Sequence, residues 1–161
     1  GPDGGDELNI IDLKKEKIEN YGWPISSYGE HYPSTSGRWE KINKLDLFKK
    51  LAPLNKSHSK YGFVEPIINW TPSIGISEII NIPQNFDPDF TNDYFIGAMG
   101  NVIAEGDQTI HHVRFDNFYN KINFEDKLVL KERVRDMVYD YDKNLVILML
   151  GSSPSLGLIF K

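Results

Sequence analysis

Apolar and polar positions along this chain alternate far more often than they recur at helical spacing. Short apolar or alternating runs occupy residues 8–12, 64–69, 76–82, 94–99, 110–116, 127–131, 134–140, 145–150 and 156–160, each bounded by turn-forming residues. That pattern predicts β-strands. Asp142-Lys143-Asn144 and Ser152-Ser153-Pro154-Ser155 separate the last three runs and predict hairpin connections. Helical spacing is best at residues 45–51, where Leu45, Phe48 and Leu51 share one face and Pro53 ends the segment.

Many short strands favour a sandwich, a barrel or a propeller. Residues 134–160 hold three strands, one blade short of a strand, and 94–131 hold three more with one wider connection. A propeller blade takes roughly 40–50 residues, so the spacing predicts an all-β chain of about three four-stranded antiparallel blades. A propeller hides its strand edges by closing on itself. Half a ring therefore predicts a partner piece or self-association.

Composition narrows the picture. The 161 residues suit one domain with a sizeable core, and 40% hydrophobic with 25% charged residues is ordinary for a globular chain. A net charge of -5 argues against nucleic acid, whose phosphates call for a basic surface. No apolar run approaches the ~18 residues of a spanning helix. The absence of cysteine excludes disulfides and thiolate metal sites, and fits either a periplasmic or a cytosolic location.

Three stretches carry candidate chemistry. The opening GPDGGDELNI, with NYGWP at 20–24, is dense in glycine, proline and acid. It predicts a tight turn presenting carbonyls and carboxylates, the ligands a hard cation such as calcium prefers. It begins without an initiator Met, and so reads as starting inside a functional loop. In KERVRD, residues 131–136, strand alternation puts Lys131, Arg133 and Arg135 on one face and Glu132, Val134 and Asp136 on the other. Two guanidinium groups about 7 Å apart on a strand suit a ligand with several carboxylates. The plainer reading is a solvated strand whose cations pair with Glu132 and Asp136. Residues 26–61 form a long loop rich in aromatics, including Tyr28, His31, Tyr32, Trp39 and Tyr61. Such a loop serves as a cleft wall for a sugar ring or as a surface excursion packed on itself. His111 and His112 are adjacent, so on a strand they face opposite ways and do not chelate together. His31 and His58 lie in the loop, where a lone histidine is more often structural. Serine-hydrolase, zinc-protease and phosphate-loop patterns do not occur.

GPDGGDELNI, NYGWPISSYGEHY, NWTPSIGISEI, DYFIGAMGN, ERVRDMVYD and LGSSPSLGLIFK, in that order, resemble the C-terminal part of the glucose/sorbosone dehydrogenases. These are soluble aldose sugar dehydrogenases that use pyrroloquinoline quinone (PQQ). The resemblance spans residues 1–161 and implies a partial six-bladed β-propeller in a periplasmic or secreted enzyme. It implies that the carbonyls of Gly1 and Pro2 hold the calcium beside PQQ. It assigns the Glu7 carboxylate and the Tyr21 carbonyl to a second, structural calcium. Arg133 and Arg135 match the arginines facing the PQQ carboxylates, and Ser73 falls near a cofactor-contacting hydroxyl. Departures are Gly100 in AMGN, where some members place a cofactor-facing Lys, and Ile67, where some place a Tyr. The family's catalytic His lies upstream of Gly1, and none of the four histidines here matches it. The resemblance thus implies the C-terminal portion of an enzyme oxidising an aldose at C1 to the lactone, inactive alone. Two alternatives stand beside it: a non-catalytic propeller module for binding or assembly, and a propeller lactonase, which would need a cage of carboxylates from several blades.

Overall fold

The computed structural model describes residues 4–23, 25–29, 58–100, 102–151 and 153–161. The amphipathic segment at 45–51, most of the aromatic loop, and Gly1 and Pro2 lie outside them. The chain divides into two compact units, Gly1–Ser73 and Ile74–Lys161. Regular structure among the described residues is β throughout, apart from single 3-10 turns at His58–Tyr61 and Ile103–Glu105.

In the first unit, β1 (Asp6–Leu8) pairs antiparallel with β2 (Ile68–Trp70), with Glu7 opposite Asn69. Both are shorter than the apolar runs suggest. β1 ends at Leu8, and Ile11, Leu13 and Ile18 beyond it are largely exposed.

The second unit holds two meanders. β3 (Ile76–Ile82), β4 (Asp93–Ala98), β5 (Thr109–Phe115) and β6 (Ile122–Val129) form a four-stranded antiparallel sheet in chain order. β7 (Val134–Asp140), β8 (Leu145–Leu150) and β9 (Ser155–Ile159) form a three-stranded one. β3, β7 and β8 occupy the residues expected. β6 starts five residues earlier than its apolar run, at Ile122 rather than 127, because it is an edge strand whose side chains are almost all exposed. Its ladder to β5 holds it, and edge pairing leaves no hydrophobic signature.

Between these sheets lies one apolar cluster: Ile82, Phe86, Phe95, Ile110, Val134, Met137, Tyr139, Val146 and Leu148. Phe86 meets Phe95 and Tyr139 edge-on, at 6.4 and 6.3 Å between ring centroids. Each such ring or aliphatic chain contributes about 1.5–3 kcal/mol on burial, so this cluster is the main stabilising element of the unit. The hairpin from β7 to β8 closes as its residues predict. Asp140 Oδ1 accepts the Asp142 and Lys143 amides at 3.0 and 2.9 Å, and Asn144 takes a left-handed φ of 56°.

Candidate functional site

Glu7 and Tyr21, expected as cation ligands, line one pocket of about 190 Å³ together with Gly5, Trp23, Ser26 and Ser27. Two glycines make this pocket possible. Gly5 has φ 75°, and a Cβ there would lie 2.3 Å from the Gly29 amide nitrogen. Gly22 has φ 92°, and its Cβ would lie 2.1 Å from His58 Nδ1. Both positions need glycine on conformation and on space.

His58 stands behind the pocket, 1% exposed, between two partners. Its Nε2 lies 2.9 Å from Glu7 Oε1 and its Nδ1 lies 2.8 Å from Ser26 Oγ. A carboxylate only accepts, so Nε2–H donates to Glu7; in the neutral imidazole Nδ1 then accepts from the Ser26 hydroxyl. The second carboxylate oxygen, Oε2, meets the Asn9 amide at 3.5 Å, at the outer limit of a hydrogen bond. Asn9 Oδ1 is buried without a partner. The Tyr21 hydroxyl donates its one hydrogen to Glu19 Oε2 at 2.9 Å, with the Ile10 carbonyl 3.1 Å from the same oxygen as the competing acceptor, which turns it to protein partners. Burial, then Glu19, pushes that phenol up from its ordinary value.

In the second unit the arginines sit differently from a simple alternating strand. β7 begins only at Val134, and Lys131 takes a left-handed φ of 60°, so Lys131 does not share a strand face with the arginines. Arg133 precedes the strand. The register moves from Val134 opposite Leu150 to Asp136 opposite Met149, which makes Arg135 the extra residue of a β-bulge. Both arginines nevertheless contact Met99, through different atoms. Arg133 Nε donates to the Met99 carbonyl at 2.6 Å, and Arg135 Nη1 reaches Met99 Sδ at 3.5 Å. Arg135 lies across Gly151, where a Cβ would come within 2.4 Å of Arg135 Nε. Glu132 accepts from Ser153 through its amide and hydroxyl, and Asp136 from the Met137 amide.

Beside Met99, the carboxyl of Asp107 fills the space next to Gly100. Asp107 is 3% exposed; its Oδ2 accepts the Val102 amide at 2.6 Å and its Oδ1 has no partner. Ser73 is half-buried between the cis Thr71-Pro72 bond and β3, as the last residue of the first unit.

His111 and His112 face opposite ways on β5. His111 is fully buried and donates through Nε2 to the Gly106 carbonyl at 3.0 Å. Burial holds its pKa below the ordinary value, with that carbonyl opposing the shift. His112 Nε2 lies 2.5 Å from Asp93 Oδ1, among the rings of Phe90, Phe95 and Phe124. Asp93 is fully buried and also accepts Arg114 Nε on both oxygens, at 3.0 and 2.8 Å, and the Thr91 amide at 2.7 Å. Burial alone would raise its carboxyl, but these donors outweigh it and hold it below the usual carboxylate range. This cluster is a structural tie within the four-stranded sheet.

The residues that sequence reasoning missed are His58, Ser26 and Asp107. His58 reaches Glu7 across 51 positions of chain, a separation that leaves no local signal. NYGWP carried a partial hint: its glycine is the residue that lets the imidazole approach.

The sequence model described as Glucose / Sorbosone dehydrogenase matches residues 1–156. The aldose sugar dehydrogenase YliI of Escherichia coli is 28% identical over 158 residues, 97% of this chain and 35% of that protein. The uncharacterized protein slr1608 of Synechocystis sp. is 28% identical over 148 residues, 92% of this chain and 29% of that one. The chain thus spans about a third of the length of these relatives. The apo-form crystal structure of the soluble aldose sugar dehydrogenase of Escherichia coli superposes with a TM-score of 0.68 at 21% identity, over 100% of this chain and 40% of that one. A glucose dehydrogenase crystal structure gives 0.66 at 24%, over 98% and 38%. The all-β sheets described above are therefore those of a partial β-propeller. On the match over residues 1–156, this chain belongs to the glucose/sorbosone dehydrogenase family.

Proposed function

We propose that residues 1–161 are the C-terminal part of a single β-propeller domain in a PQQ-dependent aldose dehydrogenase, periplasmic or secreted, that oxidises a sugar at its C1 hydroxyl to the lactone. The observation that carries this reading is the convergence of Arg133 and Arg135 on Met99. Two guanidinium groups that contact one residue suit a polycarboxylate anion, because a guanidinium can bind a carboxylate bidentately. Arg133 donates to a backbone carbonyl, while Arg135 packs across Gly151 and, among the described residues, hydrogen-bonds only the soft Met99 sulfur, which leaves donors for a ligand. Bound PQQ would supply the hydride acceptor, with calcium as the Lewis acid beside it.

By the resemblance, Glu7 and Tyr21 would hold the structural calcium; both line the same pocket, where Glu7 Oε2 keeps only the long contact with Asn9. Among the described residues no three acidic or imidazole groups cluster as a metal cage. A cation here would therefore complete its coordination with carbonyls and water. In this reading no catalytic base comes from this chain. The remainder of the ring, or a second copy, closes the edges that the chain leaves open.

One observation favours a second reading. The Asp107 carboxyl occupies the space at Gly100, where some family members carry a cofactor-facing Lys. A propeller module that keeps the fold without the chemistry would tolerate that exchange.

The deciding experiment supplies the full-length protein with PQQ and calcium and follows reduction of an artificial electron acceptor by a panel of aldoses. The enzyme reading expects reduction that needs both PQQ and the sugar. PQQ binding without reduction, or no PQQ binding, supports the module.

A further inference from the structure

We infer that Asp107 sets the charge of the arginine site: its buried carboxylate weakens the hold of Arg133 and Arg135 on a polycarboxylate anion, and so governs how tightly such an anion is kept. The inference rests on the reading of the two arginines given above and adds a residue to which no ligand role has been assigned.

The placement comes from the β4–β5 connection. After the 3-10 turn at Ile103–Glu105, Gly106 takes a left-handed φ of 100°. Its carbonyl is held by Thr109 Oγ1 at 2.5 Å and by His111 Nε2 at 3.0 Å. The turn brings Asp107 back over Gly100, where a Cβ would lie 2.0 Å from the carboxyl carbon and 2.1 Å from each oxygen. The backbone beneath is fixed as well. The Met99 amide donates to the Gly75 carbonyl at 2.8 Å and the Gly100 amide to the Ile74 carbonyl at 3.0 Å. Met99 is the residue both arginines contact, so the carboxylate sits one residue along the chain from that contact.

Closing the loop does not by itself call for a carboxylate. The Val102 amide needs one acceptor and takes Oδ2 at 2.6 Å, a bond an asparagine oxygen would make equally. Oδ1 is then left buried without a partner among the described residues, in a side chain 3% exposed. Such an oxygen is unfavourable for stability, and loop closure leaves it unexplained. A negative charge beside two cations does explain it, because it offsets part of their attraction for an anion. Screening by salt is weaker for a buried charge than for an exposed one. Where some family members place a lysine at position 100, this chain has Gly100 covered by an aspartate. The exchange replaces a positive charge with a negative one at the same point.

The test is titration of PQQ into the full-length protein freed of cofactor, in one calcium-containing buffer, followed by protein fluorescence. Wild type, Asp107→Asn and Arg135→Ala are compared at about 0.01 M and about 1 M salt, where charges are screened beyond about 30 and 3 Å. A thermal melt of each variant checks folding. Asp107→Asn keeps an acceptor for the Val102 amide and loses the charge. At low salt it should bind PQQ about threefold to tenfold more tightly than wild type, and the gain should shrink at high salt. A residue that only closes the loop would give no gain and no salt dependence of the difference. Asp107→Ser, also uncharged, should gain in the same direction and carries the test if the asparagine variant does not fold. A folded uncharged variant with wild-type or weaker affinity at low salt, or a gain that salt leaves unchanged, overturns the charge role. The arginine reading then stands if Arg135→Ala still weakens PQQ. A wild-type protein that binds no PQQ, or an Arg135→Ala variant that binds it unchanged, overturns both.

Discussion

The Asp107 carboxyl stands where a side chain on Gly100 would begin: a Cβ built there lies 2.0 Å from its carboxyl carbon. The carboxyl is buried and held through Oδ2 by the Val102 amide, so it does not swing aside freely.

Gly100→Ala should therefore destabilise the protein by about 1–3 kcal/mol through overpacking, read as a lower midpoint in urea unfolding. Gly100→Lys should be worse. Combined with Asp107→Gly, which empties the space, the lysine should be tolerated better than alone. A Gly100→Ala variant as stable as wild type would show that the Asp107 side chain moves out at no cost.

Asp93→Asn should cost about 2–4 kcal/mol, because it strips charge from a buried acceptor that holds Arg114, His112 and a backbone amide. The figure sits below that for a fully buried pair because the Arg114 side chain is 29% exposed. The pH sign follows from the depressed carboxyl. Its stabilisation is complete above the unfolded value, about 3.9, and is lost as pH falls through the lower folded value. The difference between wild type and Asp93→Asn in thermal melts should shrink below about pH 4.

His111 acts over a different window. Its folded pKa is lowered by burial, so the unfolded chain binds the proton first. Stability from this group is complete above about pH 6.5 and falls on acidification below it. The slope reaches at most about 1.4 kcal/mol per pH unit for one proton. His111→Gln should flatten the melting curve between roughly pH 7 and 5 relative to wild type. Parallel profiles would place the titration elsewhere.

Arg135→Ala should separate binding from folding. Its partner among the described residues is a sulfur at 3.5 Å, so the melting temperature should barely move. In the complete enzyme, PQQ affinity should fall about tenfold to a hundredfold, the worth of a charge-assisted hydrogen bond of roughly 1.5–3 kcal/mol. Arg133→Ala should weaken PQQ similarly, and also lose some stability with the bond to the Met99 carbonyl. Unchanged affinity in either variant refutes the arginine receptor.

Much of this was legible in the residues. β3, β7 and β8 follow from short apolar or alternating runs because each supplies side chains to the common core, and burial is what those runs record. β6 was half-visible, since Ile122, Asn123 and Phe124 belong to an edge held by its backbone ladder. Arg133 and Arg135 both contact Met99, but not through the strict alternation read from the sequence, which would have added Lys131, whose backbone is left-handed. A bulge leaves no mark in composition. Glu7 and Tyr21, singled out in the sequence, do line one pocket, whereas His58 and Asp107 were not legible as its neighbours or as the filler beside Gly100. Their roles arise from neighbours supplied by folding, His58 from 51 positions away and Asp107 from the gap above a glycine.

The bulge has one more consequence. In β7 the inward residues are Val134, Met137 and Tyr139, a spacing of three and then two. Remove Arg135 and the spacing becomes two and two, an unbroken pleat with the same three anchors against the same core. Position 135 is thus a residue the sheet could lose by deletion and close over, whereas a deletion at Val138 would turn Tyr139 to the outer face. Tolerance to length change is therefore uneven along one short strand, and the most dispensable position for the sheet is the one that carries the guanidinium.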